Sequence, residues 1–145
     1  MADMPVLSSG RRAVFGFRQA VDRLDRAIDQ AFGDPAYCAA VEACMWATVL
    51  DERCEASPGY ADRRDSDSEG RVLLGLRWVR HRGVHGAIDV HEWTDRLDVR
   101  WLPRAKVTGD VYENPKLESV YDRWLEGQPV LDTVLAAYRF LVPPL

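Results

Sequence analysis

Six consecutive residues in the middle of the chain, Arg80-His81-Arg82-Gly83-Val84-His85, carry side chains suited to phosphodiester chemistry. Arg80 stays charged at physiological pH, and His85 can exchange a proton near neutrality. In a chain this rich in arginine, an Arg and a His at about this spacing occur about once by chance. The form with a polar residue directly after the arginine, here His81, is expected far more rarely. The segment therefore indicates a site for a phosphate-containing substrate.

Helical geometry predicts that Arg80 is turned toward the protein interior. The motif ends an apolar run that predicts a helix over residues 71–85, and at about 100° per residue Arg80 falls among its aliphatic side chains. A buried guanidinium requires a carboxylate or a phosphate. Glu42 is the only charged residue between positions 36 and 50 and is the predicted partner. Arg77, on the flank of the same helix, competes for it.

The segment resembles the signature of the HEPN superfamily, an Arg-x4–6-His motif in which Asn, Asp or His commonly follows the arginine. Arg80, His81 and His85 match it. Members are small helical bundles, commonly metal-independent endoribonucleases that act as toxins or anti-phage effectors, and some relatives are non-catalytic. They form homodimers in which two motifs face one composite cleft. The resemblance therefore implies an RNA substrate, a homodimer, and neither a cofactor nor a metal.

One position departs from part of the family. In relatives regulated by a partner nucleotidyltransferase, a tyrosine commonly stands two residues after the histidine, whereas this chain has Ala87 there. We therefore do not expect regulation through modification of such a tyrosine.

The resemblance also implies a role for each residue of the site. RNA carries its own nucleophile, the 2′-OH, so cleavage needs a base, an acid and a cation for the charge that develops around phosphorus. His85 is the candidate base or acid, Arg80 stabilises the charge, and His81 orients Arg80 or binds phosphate. Each motif has one histidine in this place, so the partner protomer would supply the second. The remaining candidates are Glu42 in the catalytic set, and Arg77 and Arg82 as RNA-binding residues.

Apolar spacing predicts an all-α protein with one domain over residues 1–145, a HEPN-like bundle of four or five helices. Ser8 or Ser9 caps the first helix, and a proline opens the second, fourth and fifth. An irregular excursion separates the third helix from the fourth. The first predicted helix ends at about residue 32. The other four span, in order, residues 36–55, 71–85, 115–126 and 129–141.

Two segments have weaker patterns. Residues 57–70 are polar and predict an exposed, mobile loop, for which a flap over the cleft is the alternative role. Residues 86–114 contain two alternating stretches, beginning at Ile88 and Leu97, that favour short strands. Irregular structure fits these two stretches equally well.

Composition restricts the function classes. The net charge of −4 argues against a protein that coats nucleic acid, although residues 71–85 carry four arginines and no acid. The sequence shows neither an apolar run of membrane-spanning length nor a signal peptide at its start, so we expect a cytoplasmic protein without membrane association. Cys38, Cys44 and Cys54 form no CxxC pair, and we expect them to be reduced thiols in the core.

Structural roles compete with the functional interpretation of the motif. Arg80 and Glu42 would form a buried ion pair that fixes helix register, and His85 would stabilise the C-terminus of its helix. Another alternative treats His81 and His85, one helical turn apart, as a metal pair, although no zinc-peptidase pattern accompanies them. Its completing ligands would be Asp89, His91 or Glu92.

A function of a different class is a non-catalytic helical module that binds a partner protein or a nucleotide. For a catalytic chain, an antitoxin or regulatory protein is a further candidate partner. Tryptophans could stack on bases, but the core or a dimer interface is the expected place for most of them. They are Trp46, Trp78, Trp93, Trp101 and Trp124.

Overall fold

The computed structural model describes residues 10–93 and 95–142, which form six α-helices and a two-stranded antiparallel sheet. A mostly helical protein agrees with the sequence prediction. No helix in these two ranges is long and apolar enough to span a membrane. The helices are α1 (Arg11–Asp29), α2 (Gly33–Cys54), α3 (Tyr60–Ser66), α4 (Leu73–Arg82), α5 (Pro115–Val120) and α6 (Val130–Leu141). The strands are β1 (Ile88–Glu92) and β2 (Leu97–Trp101).

The second helix, α2, lies at the centre of the fold and packs against α1, α4, α6 and both strands. Its inner side consists mainly of small side chains, which let neighbouring helices approach closely. The fully buried alanines on this side are Ala36, Ala39, Ala40, Ala43 and Ala47.

The connection between α1 and α2 is tighter than predicted. Helix α1 ends at Asp29 rather than at residue 32, because Ala31 has a left-handed φ of 56°. Helix α2 then begins at Gly33, which places Pro35 inside its first turn. The predicted caps, Ser8 and Ser9, lie outside the described residues.

The polar segment 57–70 is not the extended exposed loop that its composition predicts. It contains α3 and leads into a 3-10 turn, Gly70–Val72, before α4. Tyr60 and Arg64, one helical turn apart on α3, are both buried. Their contacts with α2 are polar, so the expectation of an exposed loop with little to bury is wrong.

Residues 86–114 contain two short strands, β1 and β2, rather than irregular structure throughout. These were the two alternatives that the sequence left open for this segment. The register pairs Ile88 with Trp101 and Glu92 with Leu97. Trp101 is buried, and its Nε1–H donates a hydrogen bond of 2.9 Å to Oγ1 of Thr133 on α6. The hairpin is thereby fixed against the helices.

The last two helical segments begin where the sequence predicts. Asn114 caps α5 by accepting a hydrogen bond of 3.2 Å from the Leu117 amide, and Glu118 reaches back to the Asn114 amide at 2.8 Å. A π-helical turn, Tyr121–Leu125, continues α5. Helix α6 follows Pro129.

Candidate active site

The motif spans the end of α4 and the turn that follows it. Helix α4 stops at Arg82 because Gly83 adopts a φ of 97°, a conformation that L side chains rarely adopt. His85 lies in the next 3-10 turn, Val84–Gly86, and is exposed. The predicted helix over residues 71–85 is therefore too long, and His81 and His85 are not neighbours on one helical face.

The turn that carries His85 is held from two sides. The Tyr37 hydroxyl on α2 donates a hydrogen bond of 3.0 Å to the His85 carbonyl oxygen. On the other side, the Thr108 amide donates to the Gly86 carbonyl at 3.1 Å, and the Asp110 amide donates to the Arg82 carbonyl at 2.8 Å. Backbone position in the motif is thus fixed by α2 and by the segment after β2.

Arg80 does not pair with Glu42, so that prediction is wrong. Its Nη1 forms an ion pair with Oε1 of Glu52, and its side chain is 33% exposed. Helix α4 ends at Arg82, so Gly83 and Val84 do not extend the apolar side of the helix on which Arg80 was placed. The prediction failed because it assumed one continuous helix through His85 and considered only the charges between positions 36 and 50 as partners.

Glu42 pairs instead with Arg23 of α1, at 2.7 Å between Nη2 and Oε2. Both side chains are partly exposed. Glu42 and His85 nevertheless lie on the same surface feature, a groove of about 630 Å³ that runs along α2. The structure therefore places Glu42 and His85 on one groove and pairs Arg80 with another carboxylate.

The groove, called the α2 groove below, is almost wholly apolar. Met45 is an exposed large hydrophobic residue on it. Cys38 is exposed rather than buried, which corrects the prediction of three core thiols, whereas Cys44 and Cys54 are buried. The lining residues are Tyr37, Cys38, Val41, Glu42, Met45, Trp46, Val49 and His85.

The buried carboxylate near α4 is Asp51, which the sequence analysis missed. Its side chain is 0% exposed and accepts hydrogen bonds from Arg77 Nε at 2.7 Å, Arg64 Nη1 at 3.2 Å and the Tyr60 hydroxyl at 2.6 Å. Glu55 adds ion pairs with Arg64 at 2.8 Å and Arg77 at 2.9 Å. Asp51 comes directly after residues 36–50, in which Glu42 is the only charged residue, and an acidic residue near the end of such an apolar helix is the sequence signal for a buried carboxylate.

Burial, hydrogen bonds and neighbouring charges shift the pKa values of the residues in this cluster. The hydrogen bond from Arg64, with a further one from Arg77, lowers the pKa of Glu55. Burial and the Asp51 carboxylate raise the pKa of the Tyr60 hydroxyl. Burial lowers the pKa of Arg77, but Asp51 and Glu55 outweigh it and leave a raised value. Arg77, a candidate RNA-binding residue, is thus held within the fold.

The other basic residues of the motif face the segment after β2. The His81 ring stacks on Tyr112, with 4.3 Å between ring centroids and 18° between planes. Arg82 donates a hydrogen bond of 2.8 Å from Nη2 to the Val107 carbonyl and lies over the Trp78 ring. His81 and Arg82 therefore line a different side of the α4 terminus from the α2 groove.

The metal alternative has no ligand cluster to support it. Across residues 10–93 and 95–142, no three His, Cys, Asp or Glu side chains are grouped as metal ligands would be. His91, proposed there as a ligand, lies at 4.6 Å from the exposed Trp93 ring between ring centroids.

The tryptophans divide between core and surface. Trp78 and Trp101 are buried, as expected, Trp46 and Trp124 are partly buried, and Trp93 is exposed.

Comparison with protein families, with characterised proteins and with solved structures gives no significant match.

Proposed function

We propose that the protein is a metal-independent endoribonuclease of the HEPN type, which acts as a homodimer on RNA in the cytoplasm. The observation that supports this proposal is the position of Arg80 and His85. Arg80, near the end of α4, and His85, in the turn that follows it, both reach solvent, and the buried charges of the fold are supplied by Asp51, Arg64 and Arg77 instead. The two structural explanations of the motif, a buried Arg80–Glu42 pair and a histidine at the end of a helix, do not describe it.

In the proposed reaction, RNA supplies the 2′-OH that attacks its own phosphorus. His85 takes the 2′-OH proton or protonates the departing 5′-oxygen, and Arg80 stabilises the charge on the phosphorane oxygens. Glu52, the ion-pair partner of Arg80, is about half exposed. A surface ion pair of this kind contributes about 0–1 kcal/mol, so a phosphate can replace Glu52 at little cost.

The proposed dimer supplies the second histidine. The α2 groove borders His85, is apolar and exposes Met45, so it is a surface that a second copy could cover. Met45→Glu would place a charge there, and we expect a monomer without ribonuclease activity. Trp93→Glu is the matched control, because Trp93 is an exposed aromatic residue outside the groove. Light scattering after gel filtration measures both variants, and a dimeric, active Met45→Glu protein would contradict the proposed interface.

The chemistry is tested on pooled tRNA and mRNA in EDTA. We expect cleavage that leaves a 2′,3′-cyclic phosphate and a 5′-hydroxyl, while DNA resists because it lacks the 2′-OH. The proposed biological setting is growth arrest or anti-phage defence under the control of an antitoxin or regulatory protein. Failure of the purified dimer to cleave any of these RNAs would contradict the catalytic proposal.

The apolar lining of the α2 groove also favours a second candidate, a non-catalytic module that binds a partner protein. Among the described residues, its lining contains one carboxylate and no Arg or Lys, which suits an apolar helix face better than a nucleic acid. In that case Met45→Glu would abolish partner binding, whereas His85→Ala would change neither stability nor function.

A further inference from the structure

The first half of α1 carries concentrated positive charge on its solvent side. Arg11, Arg12 and Arg18 are exposed, and residues 11–21 contain no acidic residue. None of these three arginines forms an ion pair with a residue in the described ranges. Because the whole protein has a net charge of −4, this part of α1 is a local patch of the opposite sign.

An exposed aromatic ring lies among these arginines. Phe15 is 58% exposed, whereas Phe17, two positions later, is fully buried. The three arginines stand three or four positions from Phe15, and residues at these spacings are neighbours on a helix surface. Phe15, Arg11, Arg12 and Arg18 are called the α1 basic face below. An accessible ring beside unpaired cations is the combination that proteins use to hold a single nucleic-acid strand.

The α1 basic face borders the α2 groove. Gly16, which follows Phe15, lies against Trp46 of the groove lining so closely that a Cβ on Gly16 would be 2.5 Å from Cε2 of Trp46. Arg12 lies one helical turn before Gly16 on the same side of α1. A strand bound to the basic face can therefore continue onto the groove that His85 lines.

We propose that the α1 basic face binds single-stranded RNA beside the proposed cleavage site. This inference rests on the proposed ribonuclease function, for which it names the substrate-binding surface. The arginines contact phosphates, and Phe15 stacks on a base. Such contacts recognise the backbone and the base faces and select no sequence. Arg77, the RNA-binding candidate from the sequence, does not take this role because Asp51 and Glu55 hold it.

Salt-dependent binding of a strand that resists cleavage tests the surface. The probe is a fluorescein-labelled RNA of about 15 nucleotides whose 2′-oxygens are all methylated, so it lacks the nucleophile. Fluorescence anisotropy measures its affinity for the protein from about 50 to 200 mM NaCl, and each phosphate contact adds about 0.7 to the steepness of log affinity against log salt. We expect the combined variant Arg11→Gln, Arg12→Gln and Arg18→Gln to reduce this steepness by about 2 and to bind about tenfold more weakly at low salt.

A second triple variant controls for net charge. It combines Arg63→Gln, Arg96→Gln and Arg123→Gln, which are also exposed and form no ion pair with any described residue. We expect it to keep the wild-type affinity and salt dependence, because the same charge is removed away from the α1 basic face.

Phe15→Ala separates stacking from charge. It removes the ring and leaves every arginine, so we expect binding about fivefold weaker or worse with an unchanged salt dependence. Melting temperatures of all variants are measured alongside, and we expect wild-type values because the replaced side chains are exposed.

Three results would overturn the proposal: wild type that does not bind the probe, equal binding by the two triple variants, or α1-dependent binding only to vesicles of phosphatidylserine and phosphatidylcholine. The vesicles are included because arginines around an exposed ring also suit an anionic membrane surface. Cleavage tests the ribonuclease proposal separately. A protein that cleaves RNA but binds the probe equally in both triple variants contradicts the α1 surface alone, and one that binds through α1 without cleaving contradicts the ribonuclease alone.

Discussion

The Nε of Arg77 donates a hydrogen bond of 2.7 Å to Oδ2 of Asp51, a carboxylate with no exposed surface. Asp51 also accepts hydrogen bonds from Arg64 and Tyr60, so one side chain of α2 joins α3 and α4. Helix α4 carries Arg80 and leads into the turn that carries His85. The position of Arg80 and His85 therefore depends on a buried ionic cluster that includes neither of them.

Removal of the Asp51 charge should destabilise the fold strongly. Asp51→Asn leaves Arg64 and Arg77 without their buried counter-charge, and we expect a loss of about 3–5 kcal/mol in the free energy of unfolding. Urea denaturation followed by circular dichroism measures it. Glu52→Gln, at the next position, removes only an exposed partner of Arg80 and is the control. Equal losses in the two variants would show that Asp51 has no special role.

Arg80→Ala should leave stability nearly unchanged. Arg80 is 33% exposed and Glu52 is 49% exposed, so their ion pair contributes between about 0 and 1 kcal/mol. Arg77→Ala on the same helix should cost about 3 kcal/mol or more, because it leaves Asp51 short of a partner. Thermal and urea unfolding of the two variants compare them. A large loss for Arg80→Ala would give Arg80 the structural role that the geometry assigns to Arg77.

The segment after β2, which contains Thr108 and Asp110, should be needed to hold the turn of the motif in place. Gly109 has a φ of 115°, and a Cβ there would overlap the carbonyl oxygen of Arg82. Gly109→Ala should therefore cost about 2 kcal/mol or more and displace the turn that holds His85. Gly59→Ala is the control, because Gly59 has a φ of 78° but open space around it and should cost about 1 kcal/mol. Equal costs would show that the contact with Arg82 is unimportant.

Acid should weaken the cluster through Glu55. The hydrogen bonds from Arg64 and Arg77 lower the pKa of Glu55 below its ordinary value of 4.5, so the folded state binds its proton less readily than the unfolded state. Its contribution is complete above pH 4.5 and is lost as pH falls through the lower folded pKa. Melting temperatures measured from neutral pH to pH 3 should therefore fall less steeply for Glu55→Gln than for wild type. Parallel curves would contradict the assignment.

The sequence predicts those parts of the fold that apolar periodicity specifies. Helices α1, α2 and α6 bury regularly spaced apolar side chains, and their predicted positions agree with the structure to within about three residues. Helix α3 was missed because its buried side consists of Tyr60 and Arg64, which contact a carboxylate. A hydrophobic pattern does not detect a helix that is held by polar contacts.

The candidate site, too, could be predicted from the sequence only in part. The motif was found from residue type and spacing, but the partner of Arg80 depends on which carboxylate of α2 lies beside α4, and this is Glu52 rather than Glu42. The end of the helix at Gly83 was missed because a glycine signals a stop only when the chain takes a left-handed φ there. The contacts from Tyr37 and Asp110 that hold the turn join residues far apart in the chain, and no local pattern predicts them.

The central claim is that His85 takes part in RNA cleavage, and side-by-side cleavage of pooled tRNA and mRNA by wild type and His85→Ala in EDTA tests it most directly. His91→Ala, which removes an exposed histidine of β1, is the matched control. We expect wild type and His91→Ala to cleave RNA in the chelator, and His85→Ala to be about 100-fold slower or worse with an unchanged melting temperature. Cleavage by His85→Ala at the wild-type rate, or by no variant at all, would contradict the account.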